Sequence, residues 1–134
     1  MKEYQFPAWT YPAEILEVYD GDSMWIKYDK GHGDYSIKYN RIYQDGGFYF
    51  DTPEVRRYRG VNEAQIEHGK KAKKRAIDLL IGKTDIHVTT YKSGSFRYLA
   101  QIWVPQKDGT YRDYADIMKE EGYQKKEEYP DDNH

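Results

Sequence analysis

Apolar and polar residues alternate from Ser23 to Asp29: Met24, Ile26 and Tyr28 fall on one side of an extended chain, Trp25 and Lys27 on the other. A period of two is that of a half-buried strand. The apolar-rich run before it, Ala13 to Tyr19, is joined to it by Asp20-Gly21-Asp22. Asp-Gly between two such runs predicts a β-hairpin. A further turn, Lys30-Gly31-His32-Gly33-Asp34, leads into Tyr35 to Tyr43, where Tyr35, Ile37 and Tyr39 share one face and Ser36 and Lys38 the other. The first third therefore reads as a three-strand antiparallel meander. After a basic, irregular stretch the period lengthens. Ala72, Ala76, Ile77 and Leu80 fall on one helical face, and Gly82 stands where a helix ends. Strand patterns return at Thr84 to Tyr91 and at Tyr98 to Val104, with the turn Ser93-Gly94-Ser95 between them. Asp113 caps a last short helix, Tyr114 to Glu121, with Tyr114, Ile117 and Met118 on its apolar face and Gly122 as its stop.

This order predicts an α+β fold, mainly β. The architecture expected is a five-stranded barrel of the oligonucleotide/oligosaccharide-binding (OB) type, with a helix between strands 3 and 4 and a short C-terminal helix. The 134 residues suit a single domain. Residues 1–12 read as an N-terminal extension, about 13–123 as the barrel and helices, and 124–134 as a charged tail. The chain has no cysteine, which excludes disulfides, a disulfide-linked partner and thiolate chemistry. No window has the length or apolarity of a membrane span, so no membrane partner is expected. The opening residues carry charges and prolines where a signal peptide needs an apolar run, and the expectation is a cytoplasmic monomer.

Charge changes the picture only locally. The formal net charge of -2 argues against a protein that coats nucleic acid by charge alone. Yet Arg56 to Arg75 holds eight Lys/Arg against Glu63 and Glu67, a stretch that tracks phosphates or simply faces solvent. Within it Lys70, Lys71 and Lys74 are candidate nucleic-acid contacts. The 15 Tyr, 3 Trp and 4 Phe make 16% of the chain aromatic, so tyrosine must fill part of the core.

The four histidines have no zinc-site spacing. What remains for chemistry is carboxylate and arginine. Asp20 and Asp22 flank a hairpin, and Asp51-Thr52-Pro53-Glu54 packs two carboxylates into four residues. Taken singly, the first is an ordinary turn and the second an ordinary helix start. Two such loops meeting would offer oxygen ligands to a hard cation such as calcium. Arg97 stands at the entrance of a strand, at the loop end of the barrel.

Together these segments resemble the staphylococcal nuclease (thermonuclease) family. Ile15-Leu16-Glu17-Val18-Tyr19-Asp20-Gly21-Asp22-Ser23 is similar to its V-x-DGDT strand-turn, and Asp51-Thr52-Pro53-Glu54 matches its DTPE box. Ser95-Phe96-Arg97-Tyr98-Leu99-Ala100 resembles its YGR-x-LA segment. The final helix and Gly122 match its closing elements, so the resemblance runs from about Ala13 to Tyr123. It implies a calcium-dependent endonuclease that cleaves single-stranded or loosened DNA, or RNA, with weak sequence preference and 3′-phosphate products. It implies Asp22, Asp51 and the Thr52 carbonyl as Ca²⁺ ligands and Asp20 as an outer-shell acid. Glu54 would orient or deprotonate the attacking water, and Arg41 and Arg97 would pair with the phosphate. Arginine suits that role because its planar fork makes two bonds to phosphate and stays charged.

The chain departs from the family pattern in spacing and in its tail. The family places the first arginine about five positions before the box aspartate, whereas Arg41 precedes Asp51 by ten, with residues 42–50 between them. If that insertion folds as a hairpin about Asp45-Gly46-Gly47, Tyr43 pairs with Phe48 and Arg41 comes opposite Phe50. If it bulges, Arg41 misses the phosphate. Ser95-Phe96 replaces Tyr-Gly, and the final family helix is missing, which leaves Tyr123 and Tyr129 as the nearest candidates for base stacking. The alternative is a non-catalytic OB-type module that binds nucleic acid or a protein ligand.

Overall fold

A computed structural model describes residues 5–44, 48–53, 62–92, 98–126 and 129. β1 (Thr10–Asp20), β2 (Ser23–Asp29) and β3 (Tyr35–Gln44) form the expected antiparallel meander, and β4 (Phe48–Tyr49) folds back on β3. α1 (Glu63–Leu80) follows, then β5 (Ile86–Lys92), β6 (Tyr98–Pro105), β7 (Tyr111–Asp113) and α2 (Tyr114–Glu120). β1 pairs with β5, β5 with β6, and β6 lies parallel to β3 with Leu99 opposite Arg41. That last pairing closes the sheet into a five-strand barrel of the OB type, β1-β2-β3-β6-β5, with α1 connecting its third and fourth strands. β1 serves both neighbours because irregularities at Ile15/Glu17 and Val18/Asp20 bend it. It starts at Thr10, opposite Thr89, so the barrel takes in the last residues of the stretch read as an extension.

The inward set of β2, Met24, Ile26 and Tyr28, is buried as its alternation predicts. β3 alternates too, but Tyr35, Ile37 and Tyr39 face solvent while Asn40 and Ile42 are buried. The apolar face of that strand is its outer face.

α1 begins nine residues before Ala72. Asn62 caps it by accepting a bond from Gln65 N at 2.9 Å. Its buried face is Gln65, Ile66, Gly69, Ala72, Ala76 and Leu80. The first half of that face holds only one large apolar residue, so the helical period is not visible there in the hydropathy. Ile77, read as part of the face, is exposed. α2 is capped by Asp113, which accepts from Ala115 N at 2.8 Å and also from Gln101 Nε2 at 2.8 Å. Beyond it Gly122 adopts φ 84°, with Gly122 N bonded to Lys119 O and Tyr123 N to Met118 O, a Schellman stop. Arg75 of α1 donates to both carboxylate oxygens of Glu121, a bond that holds this carboxyl below its usual range. No described helix is long and apolar enough to cross a membrane.

Two polar side chains inside the barrel, Tyr28 and Asn40, pair with one another. The Tyr28 hydroxyl donates to Asn40 Oδ1 at 2.7 Å, and Asn40 Nδ2 donates to Lys38 O at 2.7 Å. Burial raises the Tyr28 phenol far above its ordinary value, so it is a neutral donor. Tyr28→Phe leaves the buried Asn40 oxygen without its donor and is expected to cost about 1–3 kcal/mol. The measure is a lower urea midpoint at unchanged slope; a midpoint equal to that of the parent would show that the pair does not hold the barrel.

Candidate active site at one end of the barrel

Asp22 sits in the turn between β1 and β2 and is 8% exposed. Its Oδ2 accepts from Thr52 N at 3.0 Å and its Oδ1 from Ser23 Oγ at 3.1 Å. Its carbonyl accepts from Ile42 N at 2.8 Å, which ties the turn to β3. Ser23 is the register partner of Arg41, so the arginine lies one residue from Asp22 across the sheet. Arg41 forms an ion pair with Asp51, and its Nη2 is 3.8 Å from Asp22 Oδ2. The guanidinium thus lies against carboxylates from two separate loops.

The insertion delivers this geometry by forming a hairpin, with a register one residue from that expected. Tyr43 pairs with Tyr49 and Gln44 with Phe48, and Phe50 N donates to Ile42 O at 3.1 Å. Arg41 is thereby level with Asp51 itself, not with Phe50. The reason is burial: Ile42 and Phe50 are both fully buried, and a slip of one residue would turn the phenylalanine out.

Two contacts bring the Asp20-Gly21-Asp22 turn and the Asp51-Thr52 segment together. A Cβ built on Gly21 would lie 2.6 Å from Thr52 Cγ2 and 3.0 Å from its Oγ1, so only glycine fits. Beneath them the Tyr114 hydroxyl donates to Gly21 O at 2.6 Å, and the Tyr114 ring meets the Phe50 ring edge-on at 6.3 Å. Tyr114 is fully buried, and burial, then the charges of Asp22 and Asp20, raises its phenol well above the ordinary range. From the far end of the chain, Lys125 N donates to Asp51 O at 2.8 Å. None of these supports was legible in sequence. Tyr114 reads there as one apolar residue of a helix face, and a backbone donor at Lys125 leaves no signal.

Asp20, Asp22, Arg41, Asp51 and Thr52 are thus gathered at one end of the barrel. Glu54 and Arg97 lie outside the described residues, as do Arg56, Arg57 and Arg59. Pro53, just before Glu54, is buried, and Tyr98, just after Arg97, pairs with Asn40. Lys70, Lys71 and Lys74 are exposed on α1, and none lines the groove beside Arg41. Tyr123 and Tyr129 are elsewhere, around His68: His68 Nδ1 lies 2.8 Å from the Tyr129 hydroxyl, its Nε2 lies 2.6 Å from Gly122 O, and the Tyr123 ring is 6.1 Å away. Asn62 Nδ2 also donates to Tyr129 O at 3.2 Å, so Tyr129 is docked on the start of α1.

No protein-family model matches the chain, and no curated protein matches it.

The donor set is all oxygen. Among the described residues no three His, Asp or Glu side chains are grouped so as to hold a metal ion. Asp22 and Asp51 nonetheless share one guanidinium, and each carboxylate oxygen can accept more than one bond. With Asp20 across Gly21, the described residues here offer three carboxylates beside Arg41, and carboxylate oxygens are the donors a hard divalent cation would take.

Gly21→Ala is expected to destabilise the protein by about 1–3 kcal/mol through overpacking on Thr52. Adding Thr52→Ala, which removes Cγ2 and Oγ1 but keeps the backbone bond to Asp22, should restore part of that loss. Urea unfolding of the four proteins of this cycle gives the coupling, expected at about 0.5–3 kcal/mol. Strict additivity would show that the two loops do not bear on one another.

Proposed function

We propose that the chain is a calcium-dependent phosphodiesterase of the staphylococcal nuclease type. It would cleave single-stranded or loosened DNA or RNA with weak sequence preference and leave 3′-phosphate ends. The observation that carries this reading is the meeting of Asp22, Asp51 and Arg41, delivered by three different strands or turns to one point. A scaffold has no need to place two carboxylates on one guanidinium at a half-exposed barrel end.

Asp22, Asp51 and the Thr52 carbonyl would hold Ca²⁺, whose chemistry there is a fixed positive charge against a phosphate oxygen. Asp20 would add to the negative field just outside that set. Arg41 and Arg97 would bind the phosphate through paired N–H donors and stabilise the charge that gathers on its equatorial oxygens. Glu54 would hold the attacking water and take its proton as the oxygen bonds to phosphorus. The 5′ oxygen then leaves, protonated by water, and the phosphate stays on the 3′ side.

One observation favours a second reading. Arg41 is paired directly with Asp51, which ties the phosphate-binding fork to a prospective metal ligand. An OB-type module that binds nucleic acid or a protein ligand without cutting would keep such a pair.

Incubation with denatured DNA separates the two. Cleavage is expected with calcium and is lost with chelator and in Glu54→Gln. Arg41→Ala should lower kcat by about 10²–10³. Binding without cleavage under every divalent ion would establish the module instead, and full activity in Arg41→Ala would remove that residue from the chemistry.

A further inference from the structure

Beside Arg41 the barrel carries a groove of about 550 Å³ whose lining, among the described residues, includes two cations, Lys38 and Arg41, and no carboxylate. Its walls are flat aromatic surface. Trp25 and Tyr39 are direct register partners on β2 and β3, with ring centroids 5.3 Å apart, and they remain 42% and 40% exposed. Tyr19 meets Tyr39 edge-on at 6.2 Å and supports it from β1. Tyr98, 44% exposed on the opposite wall, carries Lys38 Nζ 4.9 Å above its ring.

The surface continues away from Arg41. Past Ile37 it reaches Tyr35, where Lys27 Nζ lies 4.4 Å over the ring. Arg41 to Tyr35 spans about 20 Å of strand. Acidic side chains on this side are Glu14 and Glu17 of β1, opposite Lys27 and Trp25, and Asp29, opposite Tyr35. The charges of Asp20 and Asp22 also reach Tyr39, and among the described residues no carboxylate lines the groove. A second cavity of about 270 Å³ adjoins the first, shares Lys38 and Tyr98 with it, and adds Lys30.

Exposed rings of this size, interleaved with lysines that already sit over ring faces, match a ligand of flat π-systems on an anionic thread. A protein partner docking by apolar contact would meet a surface with a lysine beside two of its rings. Resting on the reading of the chain as a nucleic-acid protein, we infer that the outer face of β2 and β3 is a platform for single-stranded nucleic acid. Bases stack from Trp25 and Tyr39 toward Tyr35. Lys27 follows the phosphates from that face, and Lys38, which belongs to the other face of β3, reaches the groove at its edge over Tyr98. The platform also sets strand state: a duplex keeps its base faces covered and offers nothing to Trp25. The stacking role expected of Tyr123 and Tyr129 falls to strand residues on this face.

The test measures binding, not cutting. An oligothymidylate of about 12 nucleotides is titrated in chelator and followed by anisotropy, with a duplex of equal length as the comparison. Trp25→Ala/Tyr39→Ala is expected to weaken the single strand about tenfold or more and to leave the duplex unchanged. Lys38→Gln should lower the slope of log affinity against log salt by about one. Thermal melts report whether the double variant is folded; if it is not, the Lys38→Gln slope and the quenching of Trp25 emission, absent in Trp25→Phe, decide alone. Unchanged affinity in the folded double variant, or an unchanged slope together with no Trp25 quenching, would overturn the platform. So would a parent dimer that the double variant abolishes, which would make the patch a self-association surface. Stacking in a protein that cuts nothing with calcium would leave the platform standing and remove the hydrolytic reading. A parent that cuts, beside a double variant that binds and cuts equally well, would remove the platform alone.

Discussion

The arrangement at the barrel end depends on one approach, that of Gly21 to Thr52. With no side chain at Gly21, the Asp22 carboxylate can come down on the Thr52 amide at 3.0 Å. A buried carboxylate needs such donors, since leaving it unpaired would cost several kcal/mol, roughly what a small domain has to spare. The amide bond fixes Asp22, Asp22 fixes the position of Ile42 through its carbonyl, and Ile42 sets the register that brings Arg41 level with Asp51. Each step is short-range, but all follow from the space that one missing methyl leaves.

Much of the barrel was legible because its strands obey a simple period. Met24, Ile26 and Tyr28 point inward as their alternation demands, and the Asp20-Gly21-Asp22 turn lies where two such runs meet. The strand order, the intervening helix and the caps at Asp113 and Gly122 follow from the same local chemistry. The failures have physical causes. The first half of α1 buries Gln65 and Gly69, which hydropathy counts as surface. β3 turns Tyr35, Ile37 and Tyr39 outward and buries Ile42, and polarity alone cannot say which face of an alternating strand meets the core. β7 is three residues long and carries too little pattern to read.

The gathering of acids and arginine was legible only in part. Motif order named Asp22, Asp51, Thr52 and Arg41, but the ten-residue separation of Arg41 and Asp51 left open whether they meet. They meet because the insertion is itself a hairpin, and its register is set by Phe50 seeking the core, a tertiary effect. The alternation put Trp25 opposite the Met24 face and Tyr39 on one face with Tyr35 and Ile37, but it could not set the two rings side by side, because that takes the β2–β3 register.

The support beneath the cluster has a consequence for how the chain is built. Asp20 to Thr52 is one continuous stretch near the N-terminus, and its hairpins need only their own neighbours. Tyr114, which braces Gly21, lies 93 residues downstream, and Lys125, which holds the Asp51 carbonyl, comes later still. A chain that emerges from its N-terminus presents its crowded carboxylates long before it can brace them. Synthesis therefore assembles the acidic turn early and locks it last, and a product cut short before the final helix carries every acid of the cluster on an unbraced frame.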